Sequence, residues 1–117
     1  MMLTLSIGLL VIAAMLGLAL LLAFFGKKPI PLGAAILHGM FAEAAAIFVF
    51  VKAYQAAFQG ILGVVFLLLI VAALGGISLV FLYHLQGKKL PAGMVFVHTG
   101  VGVVAFLLLV YKVFARA

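Results

Sequence analysis

Four long apolar segments, separated by short polar breaks, take up almost the whole sequence of 117 residues. They cover residues 3–25, 32–51, 61–84 and 93–114, and each is close to the ~20 residues that an α-helix needs to cross a bilayer core. Hydrophobic residues make up 71% of the chain and charged residues 7%, whereas a soluble domain is nearer half apolar and a quarter charged. The sequence therefore predicts four transmembrane helices.

The breaks between these segments contain glycine, proline and lysine, which are typical of turns at the membrane surface. Pro31 and Pro91 come at the start of the second and fourth segments, where the missing N–H of proline costs nothing. A membrane β-barrel would need alternating polarity and many more segments. We therefore expect an all-α integral membrane four-helix bundle with up-down-up-down topology, forming a single domain over residues 1–117.

The formal net charge of +6 comes from basic residues that flank the predicted spans. Such residues usually contact lipid phosphates and set topology, so no nucleic-acid partner is expected. Short-loop lysines favour the cytoplasm, which places the two Lys-Lys loops there and both termini outside. The loop residues are Lys27, Lys28, Lys88 and Lys89, and the residues at helix ends are Lys52, Lys112 and Arg116.

The chain also repeats itself at a separation of 60 residues. The tripeptide Gly26-Lys27-Lys28 also recurs, one residue away from this spacing, as Gly87-Lys88-Lys89. These matches indicate a duplicated helical hairpin, over residues 1–55 and 61–115, with both copies entering the membrane in the same direction. The matched pairs are Pro31 and Pro91, Gly33 and Gly93, His38 and His98, Ala45 and Ala105, and Lys52 and Lys112.

The repeated histidines, His38 and His98, are the main candidate site. The repeat puts them at equal depth on the second and fourth spans, and polar groups inside a span usually face the bundle interior. At ~100° per residue, the positions one and two turns below each histidine carry small side chains, which would leave a flat slot. Two inward imidazoles above such a slot suit a b-type haem with paired axial histidines. The small residues are Ala42 and Ala45 on span two and Gly102 and Ala105 on span four.

In this arrangement the chain resembles small membrane-integral b-type cytochromes, which hold haem between histidines on different helices of a four-helix bundle. The resemblance is architectural and covers spans two and four through His38 and His98. It implies haem b, electron transfer within the bilayer, and a quinol or a redox protein as electron donor or acceptor. Such cytochromes often carry two haems and four histidine ligands, whereas this chain has three histidines. The Lys27, Lys28, Lys88 and Lys89 side chains lie above the histidine level, where they could pair with haem propionates.

Other interpretations of the same residues stay open at this point. The two histidines could bond loop carbonyls or lipid headgroups, and the small residues could serve only helix packing. His84, at the end of span three on the same side, is either an interfacial residue or the third ligand of a three-histidine metal site.

Glu43 is the single acidic side chain and lies near mid-span, where an unpaired carboxylate is costly. It could couple protons in a small transporter or channel, or bond a backbone carbonyl or a second subunit of a homodimer. A non-catalytic membrane subunit or assembly factor is a third class of function. No phosphate-binding loop or nucleophile motif occurs, so an electron carrier or binding protein is favoured over a hydrolase or transferase.

Overall fold

The computed structural model describes residues 1–115, which form four membrane-length helices joined by short loops. Helix α1 covers Met2–Phe25, α2 covers Leu32–Gln55, and α4 covers Ala92–Phe114. Helix α3 covers Gly60–Ser78 and continues into a single π-helical segment, Leu79–His84. No residue in this range is in a strand. The predicted all-α fold is therefore confirmed, and the protein is an integral, multi-pass membrane protein.

The predicted spans agree with these helices except at two ends. Helix α2 runs to Gln55, four residues beyond the predicted end at Val51, so Lys52 lies inside its last turn. The end of the third span is π-helical instead of α-helical. Arg116, assigned to the end of the fourth span, lies outside the described residues.

The helices pack in cyclic order around the bundle. Helix α1 packs mainly on α2 and α3 mainly on α4, and the two hairpins meet through α2 with α3 and α1 with α4. Because antiparallel neighbours alternate around this ring, α2 and α4 stand at diagonally opposite corners. The bundle measures 42 × 20 × 19 Å, longer than the ~30 Å hydrocarbon core of a bilayer.

Tight packing is concentrated in the half of the bundle away from the Lys-Lys loops. Val49 and Leu109 are fully enclosed, and Ala45 and Ala105 lie one turn closer to the histidines, also fully enclosed. These residues lie on the same helix faces as His38 and His98, so those faces of α2 and α4 point into the bundle. Large apolar side chains cover the outer surface, as expected where the solvent is lipid.

The two loops that carry the lysine pairs have the same helix cap. The Lys28 amide donates to the carbonyl of Ala23 over 2.9 Å, and the Lys88 amide donates to the carbonyl of Tyr83 over 2.8 Å. The residue before each has a left-handed backbone, with φ of 54° at Lys27 and 67° at Gly87. Lys28 therefore corresponds to Lys88. The tripeptide match predicted from the sequence pairs Lys28 with Lys89 and is thus one residue out of register with the structure.

Candidate functional site

His38 and His98 face each other inside the bundle, from its two diagonal helices. Their ring centres are 6.1 Å apart and the ring planes make an angle of 78°. Both side chains are half-buried. The pairing and common depth expected from the sequence repeat are therefore present, and the two imidazoles form one site.

Each imidazole is hydrogen-bonded to the preceding helix of its own hairpin. The Nδ1 atom of His38 lies 2.7 Å from the carbonyl oxygen of Ala13, and the Nδ1 atom of His98 lies 2.8 Å from the carbonyl oxygen of Ala72. A carbonyl oxygen only accepts hydrogen bonds, so Nδ1 carries the proton in both rings. The Nε2 atoms have no hydrogen-bond partner among residues 1–115, which leaves their lone pairs for a ligand.

Glycine backbones lie directly against both rings. A Cβ atom at Gly17 would be 2.9 Å from Cε1 of His38, and one at Gly76 would be 3.0 Å from Cε1 of His98. At Gly75 the nearest atom would be Nδ1 of His98 at 3.5 Å, an ordinary contact. The absence of side chains at positions 17 and 76 is therefore what lets the imidazoles approach α1 and α3 closely enough to reach the carbonyls.

These backbone partners also repeat between the two hairpins, but their separation differs by one residue from that of the histidines. Ala13 and Ala72 are 59 residues apart, as are Gly17 and Gly76, whereas His38 and His98 are 60 apart. From the sequence alone, Gly17 and the Gly75-Gly76 pair are expected only as sites of close helix packing. Allowing a one-residue shift between the first and second helices of each hairpin would have linked them to the histidines.

The π-helical segment accounts for this shift. Between Gly76 and the cap at Gly87 the second hairpin has one residue more than the first has between Gly17 and Lys27. A π-turn bonds residue i to i+5, as in the bond from the Leu85 amide to the Val80 carbonyl over 2.8 Å. The extra residue is absorbed there without changing how the caps are formed.

The small residues predicted to contact a cofactor differ in their surroundings. Ala42 and Gly102, one turn below the histidines, are partly exposed. Ala45 and Ala105, two turns below, are fully enclosed by neighbouring helices, and the Ala45 carbonyl accepts a hydrogen bond from Ser6 over 3.2 Å. Protein atoms thus fill the lower part of the expected slot, and the role of all four residues in cofactor contact stays a prediction.

A groove on the outer surface between α3 and α4 reaches His98. Its volume is about 240 Å³, and its lining includes Gly75, Val97 and Val101. The equivalent positions in the first hairpin are Leu16 for Gly75, at the separation of 59, and Phe41 for Val101, at the separation of 60. Small residues in the second hairpin therefore leave His98 open to the lipid side.

The remaining candidate residues lie away from the imidazole pair. Lys27, Lys28, Lys88 and Lys89 are exposed in the two loops at the histidine end of the bundle. Within residues 1–115, no three His, Cys, Asp or Glu side chains form a group that could hold a metal ion. The three-histidine site considered for His84 is therefore wrong, because that side chain ends the π-helix and does not join the other two.

Glu43 faces away from the site. It is exposed on the outer surface of α2, as expected from its rotation of about 140° from His38 at 100° per residue. Within residues 1–115 it makes no ion pair or hydrogen bond. Its carboxyl group therefore lies on a different face of α2 from the imidazole of His38.

No known protein family, curated protein or solved structure matches this chain. The fold and the site define it as a four-helix, multi-pass membrane protein with two opposed histidines in its interior.

Proposed function

We propose that this chain holds one haem b between His38 and His98 and carries electrons within the bilayer. The observation that carries the proposal is the opposed imidazole pair with both Nδ1 atoms already bonded to carbonyls. Histidines that bind metals usually donate their other ring N–H in this way, which fixes the tautomer and the ring orientation. Each Nε2 lone pair is then left for iron.

The separation of the rings supports the same assignment. If both imidazoles bound the same metal ion, each at about 2 Å, their ring centres would be at most roughly 6 Å apart. The ring centres here are 6.1 Å apart. His38 and His98 would be the two ligands that haem takes from a protein, whereas a bare ion would need a larger group of side chains.

The surroundings of the pair suit a flat macrocycle in part. Gly17 and Gly76 lie against the imidazole rings and let them stay bonded to α1 and α3, while the enclosed Ala45 and Ala105 restrict the room further down. Haem would supply one-electron chemistry, and the four loop lysines would pair with its propionates. The groove beside His98 gives a quinol an approach from the lipid, and the loop side offers an approach to a redox protein.

The test is an absorption spectrum of the detergent-purified protein after haem is supplied. We expect a Soret band and a reduced α-band, and loss of both in His38→Ala and in His98→Ala. His84→Ala is the matched control and should keep them, because His84 lies outside the pair. A protein without a Soret band would overturn the proposal. Co-purification of the His38→Ala and His98→Ala variants with a larger complex would instead favour a non-catalytic subunit or assembly factor.

The rival function, a transporter or channel coupled through Glu43, has less support. Its carboxyl group points to the lipid side and not into the bundle, so a single chain offers it no internal pathway. Glu43→Gln would have to abolish proton-coupled uptake for that function to stand.

A further inference from the structure

Glu43 is placed where a carboxyl group is least favoured. It lies at the centre of α2, 11 residues after Leu32 and 12 before Gln55, and it is exposed on the outer face. Charged and polar groups inside a membrane almost always face the interior of a bundle and find a partner there. Residues 1–115 give Glu43 no such partner, so only a group from outside this chain would satisfy its carboxyl group.

The side chains around Glu43 form a continuous seam. They are spaced alternately four and three residues apart, which is the pattern of a helix that packs lengthwise against another helix. All are exposed, for example Met40 at 62% and Ile47 at 61%, and Phe50, at 43%, also contacts the ring of Phe66 on α3. The seam consists of Ile36, Met40, Glu43, Ile47, Phe50 and Tyr54.

The carboxyl group in the seam indicates which kind of partner would pack against it. A protonated carboxyl group has one O–H donor and further acceptor capacity, so a second Glu43 is a complete hydrogen-bonding partner for the first. In a two-fold dimer each residue near the axis meets its own counterpart. A second copy of α2, inserted in the same direction, brings the two carboxyl groups together without a basic residue.

The internal repeat gives each chain only one outer face of this kind. The position equivalent to Glu43 on α4 is Val103, also exposed at 51% but apolar. Each chain therefore has one face with a carboxyl group at mid-span. We propose that two copies of this chain associate through the Glu43 face of α2, with the Glu43 carboxyl groups hydrogen-bonded to each other across the two-fold axis.

The chain has no cysteine, so single cysteines can report the interface in native membranes. Met40→Cys and Ile47→Cys should each give disulfide-linked dimers on oxidation, because such bonds need Cα atoms within about 7 Å. Gly100→Cys and Leu107→Cys, at the equivalent positions of α4, are the matched controls and should stay monomeric.

The carboxyl group is tested in the Ile47→Cys background. Glu43→Val, which installs the residue of the other hairpin, should weaken dimerisation by about tenfold, the size expected for a polar contact between membrane helices. Glu43→Gln, which can still donate and accept, should retain cross-linking. Equal cross-linking at Leu107→Cys, unchanged cross-linking in Glu43→Val, or links only to other proteins would each overturn the proposal. None of these results depends on haem.

Discussion

Gly17 of α1 lies directly against the imidazole ring of His38, so that a Cβ atom there would be 2.9 Å from Cε1. The same relationship joins Gly76 of α3 to His98. In each hairpin, one glycine and one backbone carbonyl of the first helix thus orient the histidine of the second.

Gly17→Ala should push the His38 ring away from α1 and break its bond to the Ala13 carbonyl. We expect a loss of about 1 kcal/mol in the free energy of unfolding, since hydrogen bonds between membrane helices contribute about 0.6–2 kcal/mol. Unfolding in mixed detergent micelles measures it. Gly8→Ala is the control, because no atom lies within 4 Å of a Cβ there, and an equal loss in both variants would contradict the role of Gly17.

Both site imidazoles should be in the Nδ1–H form without ligand, because each Nδ1 donates to a carbonyl oxygen. Nitrogen-15 shifts of histidine-labelled protein in detergent distinguish the two neutral tautomers. A spectrum with Nε2–H at His38 and His98 would rule out the hydrogen bonds that orient the site. His84→Ala removes the third histidine signal and makes the assignment direct.

Ser6→Ala should destabilise the bundle by about 1 kcal/mol, within the range for interhelical hydrogen bonds in membranes. Ser6 is fully buried, and its hydroxyl lies 3.2 Å both from the Ala45 carbonyl of α2 and from the Met2 carbonyl of its own helix. Ser78 provides the matched control, because its hydroxyl bonds only the Leu74 carbonyl of its own helix. Detergent unfolding curves should therefore shift for Ser6→Ala and not for Ser78→Ala.

Removal of Leu82 from the π-helical segment should leave a folded bundle, because it restores the residue count of the first hairpin. Removal of Leu68 from α3 should disrupt it, since one residue turns the following helix by about 100°. Size-exclusion profiles and thermal melts in detergent compare the two deletions. Similar melts would show that the π-turn does not absorb the extra residue.

The Lys-Lys loops are expected on the cytoplasmic side, because short basic loops are retained there. Lys28→Cys and Lys88→Cys should react with an impermeant thiol reagent only after the membrane is opened. Gln59→Cys, in the loop at the other end of the bundle, should react in intact cells. The reverse labelling pattern would invert the orientation.

Most of the fold could be predicted from the sequence, because apolar segments of about 20 residues leave a membrane helix few alternatives. The inward placement of His38 and His98 also followed from their matched positions. The π-helix at Leu79–His84 could not be predicted, since nothing in its composition separates it from an α-helix.

The partners of the histidines were missed for a different reason. A backbone carbonyl has no sequence signature, so Ala13 and Ala72 give no signal as hydrogen-bond acceptors. Gly17 and Gly76 do give one, but only when the two halves are compared with a shift of one residue between their first and second helices.

The π-turn at the end of the third helix affects where the two hairpins can tolerate an added residue. An added residue in a regular helix would rotate every side chain beyond it, and His98 would lose its place opposite His38. The π-turn confines that disturbance to the loop end. The two hairpins are therefore free to differ in length near the membrane surface while the imidazole pair between them is kept.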